Sequence, residues 1–239
     1  MVGTVHDLSQ FHVEAKYDAA RMFYATRVLP ALVRRLDHVL TVSESSRRDI
    51  VEFCGVRPDR VTVTPLAVDH GLFRPLRAAE VRERLAGIGI AAPYVLYVSR
   101  IEHPGKNHGG LIRAFDDLKA RHALPHRLVL AGPDWTRAEA VHEEAARARC
   151  SADILFPGAL PGGLLAALYA GADLFVLPSL YEGFGLPILE SMACGVPVAC
   201  SGTSSLPEVA GDAGVTFDPG DPRSIAHAME SILEDRTRH

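Results

Sequence analysis

The chain has 239 residues, 48% hydrophobic and 23% charged, with a formal net charge of −4 at pH 7. That length accommodates one large domain or two modest ones. The acidic balance leaves no basic footprint, so nucleic acid is not an expected partner. Cys54, Cys150, Cys194 and Cys200 show no CxxC spacing and lie near apolar runs, which reads as buried, reduced thiols in a cytoplasmic protein and not as a zinc site.

From the N-terminus, "MVGTVHDLSQ" lacks the charged and apolar regions of a signal peptide. Short β-rich runs then alternate with helical spacing. Strands are expected at Val2–Val5, Val39–Val42, Val61–Thr64, Tyr94–Val98, Leu128–Ala131, Asp153–Phe156, Leu174–Leu177, Val198–Cys200 and Val215–Phe217. Between most of them lie helical patterns such as Leu111, Phe115 and Leu118. This alternation predicts parallel sheets covered by helices on both faces, an α/β fold, and short apolar strands such as "YVLYV" fit burial on both sides. The stretch "PLAVDHGLFRPLRAAE" carries prolines and a glycine without clean periodicity, then enters a charged helix at Ala78–Ala86. Six strand candidates follow this break and three precede it. A partial Rossmann-like domain is therefore expected over residues 1–74 and a complete doubly wound domain over 75–239. Ile154–Ala172 is free of charge and near the length of a membrane span, but Pro157, Gly158, Pro161, Gly162 and Gly163 break it into strand, loop and helix. It reads as core. Peripheral membrane contact by another surface stays open.

Three segments are candidates for chemistry. "GIGIAA" satisfies a dinucleotide fingerprint in letters, yet it follows a helix and precedes a strand, the reverse of the order that sets pyrophosphate on a helix N-terminus, so a nicotinamide or flavin site is rejected. "SRIEHPGKNHGG" leaves the end of the Tyr94–Val98 strand, where ligands of open α/β sheets bind. Arg100 and Lys106 there would make an anion site beside a helix over Gly109–Arg121, with Asn107 as its N-cap. A solvated loop with routine charges is the competing reading. "LPSLYEGFGLPILESMACGVPVACS" places Glu182 in a loop before a helix expected over Pro187–Cys194, with Glu190 in its first turn. Gly183 and Gly185 would let backbone N–H groups approach a ligand closely. Helix-dipole compensation by Glu190 and surface charge at Glu182 are the alternatives.

In this order and spacing, "YVLYVSRIEHPGKNHGGLIRAF", "LVLAG", "LYAGADLFVLPSLYEGFGLPILESMACGVPVACS" and "SLPEVAGDAGVTFDPGD" resemble the donor-binding half of family 4 glycosyltransferases, retaining enzymes of the two-Rossmann GT-B fold. Upstream, "TVHDLSQF", "DHVLTVSESSRRDI" and "RVTVTPLAVDHGLFRP" are similar to the later part of that family's acceptor domain. The resemblance implies that Arg100 and Lys106 grip a donor diphosphate and that Glu190 binds ribose hydroxyls. It implies further that Glu182 faces the donor sugar, with the backbone of Gly183, Phe184, Gly185 and Leu186 completing the pocket. Gly132 and the Phe156–Leu160 segment correspond to the base pocket, and His6 matches an active-site histidine facing the transferred sugar. The implied donor is a nucleotide diphosphate sugar, with a lean toward GDP-mannose from the "HD" context, and no metal cofactor is implied; no Asp-x-Asp motif occurs. The implied acceptor is a growing glycan, a lipid-linked sugar or a small molecule.

Family members normally carry more acceptor domain before "TVHD", so Val2–Val5 is expected to lack strand partners and to leave an exposed edge. A nucleotide-sugar binding module without catalysis is the alternative of a different class. A same-fold sugar-nucleotide epimerase is disfavoured by the pairing of "SR…GKN" with "EGFGLPILE".

Overall fold

The computed structural model describes residues 1–14 and 16–237. Its described strands form two parallel sheets. The first contains β1 (Val2–Thr4), β2 (His38–Thr41) and β3 (Val61–Val63), in that order. The second contains β4 (Tyr94–Val98), β5 (Arg127–Ala131), β6 (Ile154–Gly158), β7 (Leu174–Leu177), β8 (Val198–Ser201) and β9 (Gly214–Phe217). Its spatial order is β6-β5-β4-β7-β8-β9, the doubly wound arrangement in which the order of strand addition reverses between the first and fourth strands of the unit. Here that switch point lies between β4 and β7, which pair through Val95–Leu174 and Leu96–Phe175.

All nine expected strands are present, with ends shifted by at most two residues. The apolar runs explain why: β4, β7 and β8 are buried along almost their whole length, so each reads as a continuous apolar run. One expectation fails. β1 is not without a partner, because Val2, Gly3 and Thr4 register with His38, Val39 and Leu40 of β2; only its other side is an edge.

The helices are α1 (Ala19–Phe23), α2 (Leu29–Val33), α3 (Glu44–Cys54), α4 (Ala78–Ala86), α5 (His108–Arg121), α6 (Ala138–Arg147), α7 (Gly162–Ala170), α8 (Leu186–Ala193), α9 (Leu206–Ala210) and α10 (Pro222–Thr237). A π-helical turn over Tyr24–Val28 joins α1 to α2. α5 packs against α6 and α10, while α4, α7, α8 and α9 form a second series of contacts, so the large sheet lies between two helical layers. The stretch that mimicked a membrane span is β6, a loop and α7, and among the described residues no helix is long and apolar enough to cross a membrane.

Two cores result. The larger one gathers Tyr97, Leu111, Phe115, Leu130, Phe175 and Ile188 around the six-stranded sheet, and the smaller one gathers Leu8, Val33, Val39, Ile50 and Val61 around the three-stranded sheet. All four cysteines are free and buried. Burial raises their thiols, Cys200 to about 12, which keeps them protonated and inert.

Candidate functional site

The C-terminal ends of β1, β4 and β7 converge on one cavity of about 310 Å³. His6 and Asp7 reach it from the loop after β1, Arg100 and Lys106 from the loop after β4, and Glu182 through Pro187 from the loop after β7 and the start of α8. The cavity thus sits at the switch point, where the loops after β4 and β7 diverge.

The loop after β4 is held from below. His108, 1% exposed, lies 3.2 Å through Nδ1 from the Glu102 carbonyl and 3.2 Å through Nε2 from Ser99 Oγ. Burial pushes its pKa down to about 3, so the ring is neutral; a carbonyl only accepts, so Nδ1 carries the proton. The Tyr97 hydroxyl donates to the Lys106 carbonyl at 2.9 Å. Asn107 departs from its expected role. It occupies the N-cap position of α5 with φ of 53° and no capping bond, and its side-chain amide donates to the carbonyls of Pro178 at 3.1 Å and Pro219 at 2.9 Å. It ties the loop after β4 to those after β7 and β9 instead of capping the helix.

The loop after β7 carries the main polar cluster. Lys106 Nζ donates to Glu182 Oε1 at 2.6 Å, and Ser179 Oγ donates to the same oxygen at 2.7 Å. Both charged side chains are 18% exposed. Arg100 Nη2 lies 3.3 Å from Glu102 Oε2, with its guanidinium over the Trp135 ring. Each expected cation therefore has a carboxylate neighbour. Gly185, at φ of 98°, ends the loop, and Pro187 follows in the first turn of α8. Among the described residues, no protein acceptor is bound to the backbone N–H groups of Gly183, Phe184, Gly185 or Leu186. Unbonded N–H groups at and just before a helix start are of the kind that suit an anion.

Glu190 is not in the first turn of α8, because the helix begins at Leu186. Its Oε2 accepts from the Tyr169 hydroxyl of α7 at 2.7 Å. Burial raises its carboxyl above the ordinary value, against the lowering effect of that bond. Gly132 and Leu160 follow β5 and β6 along the same sheet edge, and neither lines this cavity, nor does Glu190. At Gly132 the backbone has φ of 146°, and a Cβ would lie 1.8 Å from the Ser99 carbonyl oxygen. The loops after β4 and β5 meet there too closely for a side chain.

The contacts that join the two sheets come from residues outside every sequence motif singled out for chemistry, Tyr181 and Gly183 excepted. Ser43 caps α3 by accepting from Ser46 N at 3.0 Å while its hydroxyl donates to the Gly183 carbonyl at 2.7 Å. Glu208 accepts from the Glu44 and Ser45 N–H groups at 2.9 and 3.3 Å, so a carboxylate of α9 satisfies the first turn of α3. Tyr181 donates to Asp49, which also lies 3.0 Å from His12 Nε2, and the His12 and Tyr181 rings stack at 4.4 Å. Gly183 permits this closeness, since a Cβ there would lie 2.8 Å from the His6 carbonyl and 2.9 Å from Asp7 Cβ. The only trace of this in the sequence is the capping run "SESS".

Two parallel-sheet units whose strand C-termini face one cavity define a GT-B-type protein. The chain belongs to the glycosyl transferases group 1 family: that family's profile matches residues 87–239, and the profile of glycosyltransferase family 4 matches residues 1–72. It is 37% identical to O-antigen chain mannosyltransferase B of Escherichia coli over 239 residues, which is 99% of this chain and 62% of that protein. It is 32% identical to D-inositol 3-phosphate glycosyltransferase of Acidothermus cellulolyticus, over 87% of this chain and 48% of that one. The chain thus spans about half to three-fifths of the length of these relatives. In fold it is similar to Anabaena Alr3699/HepE in complex with UDP and glucose, with a TM-score of 0.83 at 23% identity, covering 99% of this chain and 62% of that one.

Proposed function

We propose that this chain carries the reaction centre of a retaining, metal-independent glycosyltransferase. It moves a hexose from a nucleoside-diphosphate sugar to a glycan, lipid-linked or small-molecule acceptor. The observation that carries this reading is the convergence of Arg100, Lys106, Glu182 and the unpaired N–H groups of Gly183–Leu186 on one cavity at the switch point, facing His6 from the other sheet. On this reading residues 1–74 form the acceptor side and 75–239 the donor side, each with its own core, although Val68, Leu72 and Phe73 already pack on the donor-side core.

Departure of a nucleoside diphosphate places an electron pair and a growing negative charge on the bridging phosphate oxygen. Arg100, Lys106 and the N–H groups at the start of α8 are fixed donors aimed at that charge, the role a divalent ion plays elsewhere. Glu182 faces the sugar hydroxyls, with its position set by Ser179. Glu190 binds ribose hydroxyls, Gly132 and Leu160 border the base, and His6 faces the transferred sugar. The acceptor oxygen attacks on the face the diphosphate leaves, so the C1–oxygen bond to phosphate breaks as the new one forms, and the acceptor proton passes to the departing phosphate. Mannose is the hexose favoured by the likeness to a mannosyltransferase, and GDP-mannose is the corresponding donor.

The test is transfer or donor hydrolysis with labelled GDP-mannose and UDP-glucose, alongside calorimetry of nucleotide binding. Lys106→Ala removes a charge-assisted contact and leaves the Glu182 carboxylate near the phosphates without its counter-charge, so nucleoside-diphosphate affinity should fall about 10- to 100-fold. Unchanged affinity would overturn the diphosphate assignment. Binding without transfer or hydrolysis would make the chain a nucleotide-sugar binding module.

A further inference from the structure

Two helices on one face of the six-stranded sheet meet at a polar cluster far from the switch-point cavity. α5 runs from the loop after β4 toward the start of β5, so His122, just past its C-terminus, stands at the N-terminal edge of the sheet. The switch-point cavity lies at the opposite edge, outside the strand C-termini. α10 packs along α5 and carries Glu230 and Glu234, one turn apart on one helix face. One nitrogen of His122 and one oxygen from each of the two glutamates all lie within 4.8 Å of one another.

Helix stability does not account for these acids. Like charges four residues apart repel, and Glu234 stands in the last turn of α10, where the helix dipole disfavours a carboxylate. Arg121 answers part of that charge. Its Nη1 lies 3.0 Å from Glu230 Oε2 and 3.3 Å from Oε1, while its Nε is held 3.0 Å from Asp117 Oδ2. Glu230 Oε1 also meets His122 Nε2. Arg121 thus orients the Glu230 carboxylate as an outer partner orients a metal ligand, with Oε1 beside the imidazole.

The cluster rims a cavity of about 230 Å³, otherwise walled by apolar side chains and by His126. His126 is 8% exposed, and its Nδ1 is buried without a hydrogen-bond partner among the described residues. A buried ring nitrogen in that state calls for a water, and an ion-bound water in this cavity is a group of the kind it lacks. One imidazole and two carboxylates make a donor set for a divalent transition ion, whose charge offsets both acids. Ligands about 2.1 Å from a tetrahedral ion stand about 3.4 Å apart, so the three atoms need adjust by about 1.4 Å at most. His122 and Glu234 are exposed, and rotation of their side chains covers that distance.

We propose that His122, Glu230 and Glu234 bind one divalent transition-metal ion of the zinc class, which clips α10 to the end of α5. His122 Nε2 and one oxygen of each carboxylate are the ligands, water fills the fourth position, and the ring carries its proton on Nδ1. The ion stands at the far end of the sheet from the switch-point cavity and takes no part in sugar transfer, so the site does not rest on the donor reading.

The chain, stripped of metal with EDTA and free of nucleotide, is titrated with zinc chloride by calorimetry, and its thermal unfolding is followed with and without the ion. One equivalent should bind saturably, and at about a hundred-fold excess over Kd the unfolding temperature should rise by about 5–10 °C. His122→Gln and Glu234→Gln each remove one ligand from an exposed position, and each should weaken zinc by about ten-fold or more. Absence of saturable binding, or binding that both substitutions leave unchanged, would overturn the site. Magnesium chloride should bind far more weakly, since an imidazole suits it poorly; equal affinity for magnesium would overturn the transition-metal assignment.

Discussion

Glu182→Gln separates the competing demands on Lys106. In the structure the ammonium is held 2.6 Å from Glu182 Oε1, with both side chains 18% exposed. At an effective dielectric of about 20, two unit charges at that separation attract by about 6 kcal/mol before desolvation is counted. A diphosphate must therefore compete with Glu182 for Lys106 while also sitting near its negative charge. Replacing the carboxylate by an amide removes the competitor and the repulsion but keeps an oxygen to accept from Ser179. A net gain of about 1.4 kcal/mol for the diphosphate is a modest share of that attraction and corresponds to a ten-fold tighter Kd. GDP and UDP should thus bind the variant more tightly by calorimetry, while sugar transfer falls by about 10²- to 10³-fold because the group facing the sugar hydroxyls has lost its charge. Unchanged or weaker GDP and UDP binding would refute the reasoning. It would show that Glu182 serves to aim Lys106 and that the pair is not exchanged for phosphate.

Three further outcomes follow from the geometry. Gly183→Ala puts a methyl 2.8 Å from the His6 carbonyl and 2.9 Å from Asp7 Cβ, which should lower stability by about 1–3 kcal/mol in urea unfolding and reduce transfer by displacing His6. Ser43→Ala removes both the cap of α3 and the bond to the Gly183 carbonyl, at a cost of about 2 kcal/mol, measurable by the same unfolding. Glu190→Gln concerns pH. Burial raises the folded-state carboxyl above its ordinary 4.5, so the folded chain holds this proton more tightly than the unfolded one, and stability from this group falls as pH rises through that window. The amide should be more stable than the parent above the ordinary carboxylate pKa and equal to it below, when unfolding is followed across pH, while nucleotide affinity drops if Glu190 binds ribose.

The strands and their order of appearance were legible because parallel strands buried on both faces must be apolar throughout, and "YVLYV" and "LFVL" leave no other placement. The cavity was legible in part. Loops after β4 and β7 had to emerge at the strand C-termini, which placed Arg100, Lys106 and Glu182 on one edge of the sheet. Their pairing was not. Lys106 and Glu182 are 76 residues apart, and nothing in either loop's composition says that one side chain reaches the other. Asn107 shows the limit of local rules: its type and position suit a cap, yet its amide bridges the Pro178 and Pro219 carbonyls, which only the fold brings within reach. Glu190 falls one position past the expected first turn because α8 starts at Leu186, a residue earlier than Pro187 suggested. The contacts across the two sheets, such as Asp49 with Tyr181 at a separation of 132 residues, leave no pattern in the sequence beyond polar residues that the fold buries.

The central claim is that the switch-point cavity holds a nucleoside diphosphate through Arg100, Lys106 and the N–H groups at the start of α8. A crystal structure of the chain soaked with GDP-mannose or UDP-glucose tests it most directly. The diphosphate should lie within hydrogen-bonding distance of Arg100, Lys106 and the Gly183–Leu186 backbone, with the sugar toward Glu182 and His6. A diphosphate bound away from these groups would contradict it.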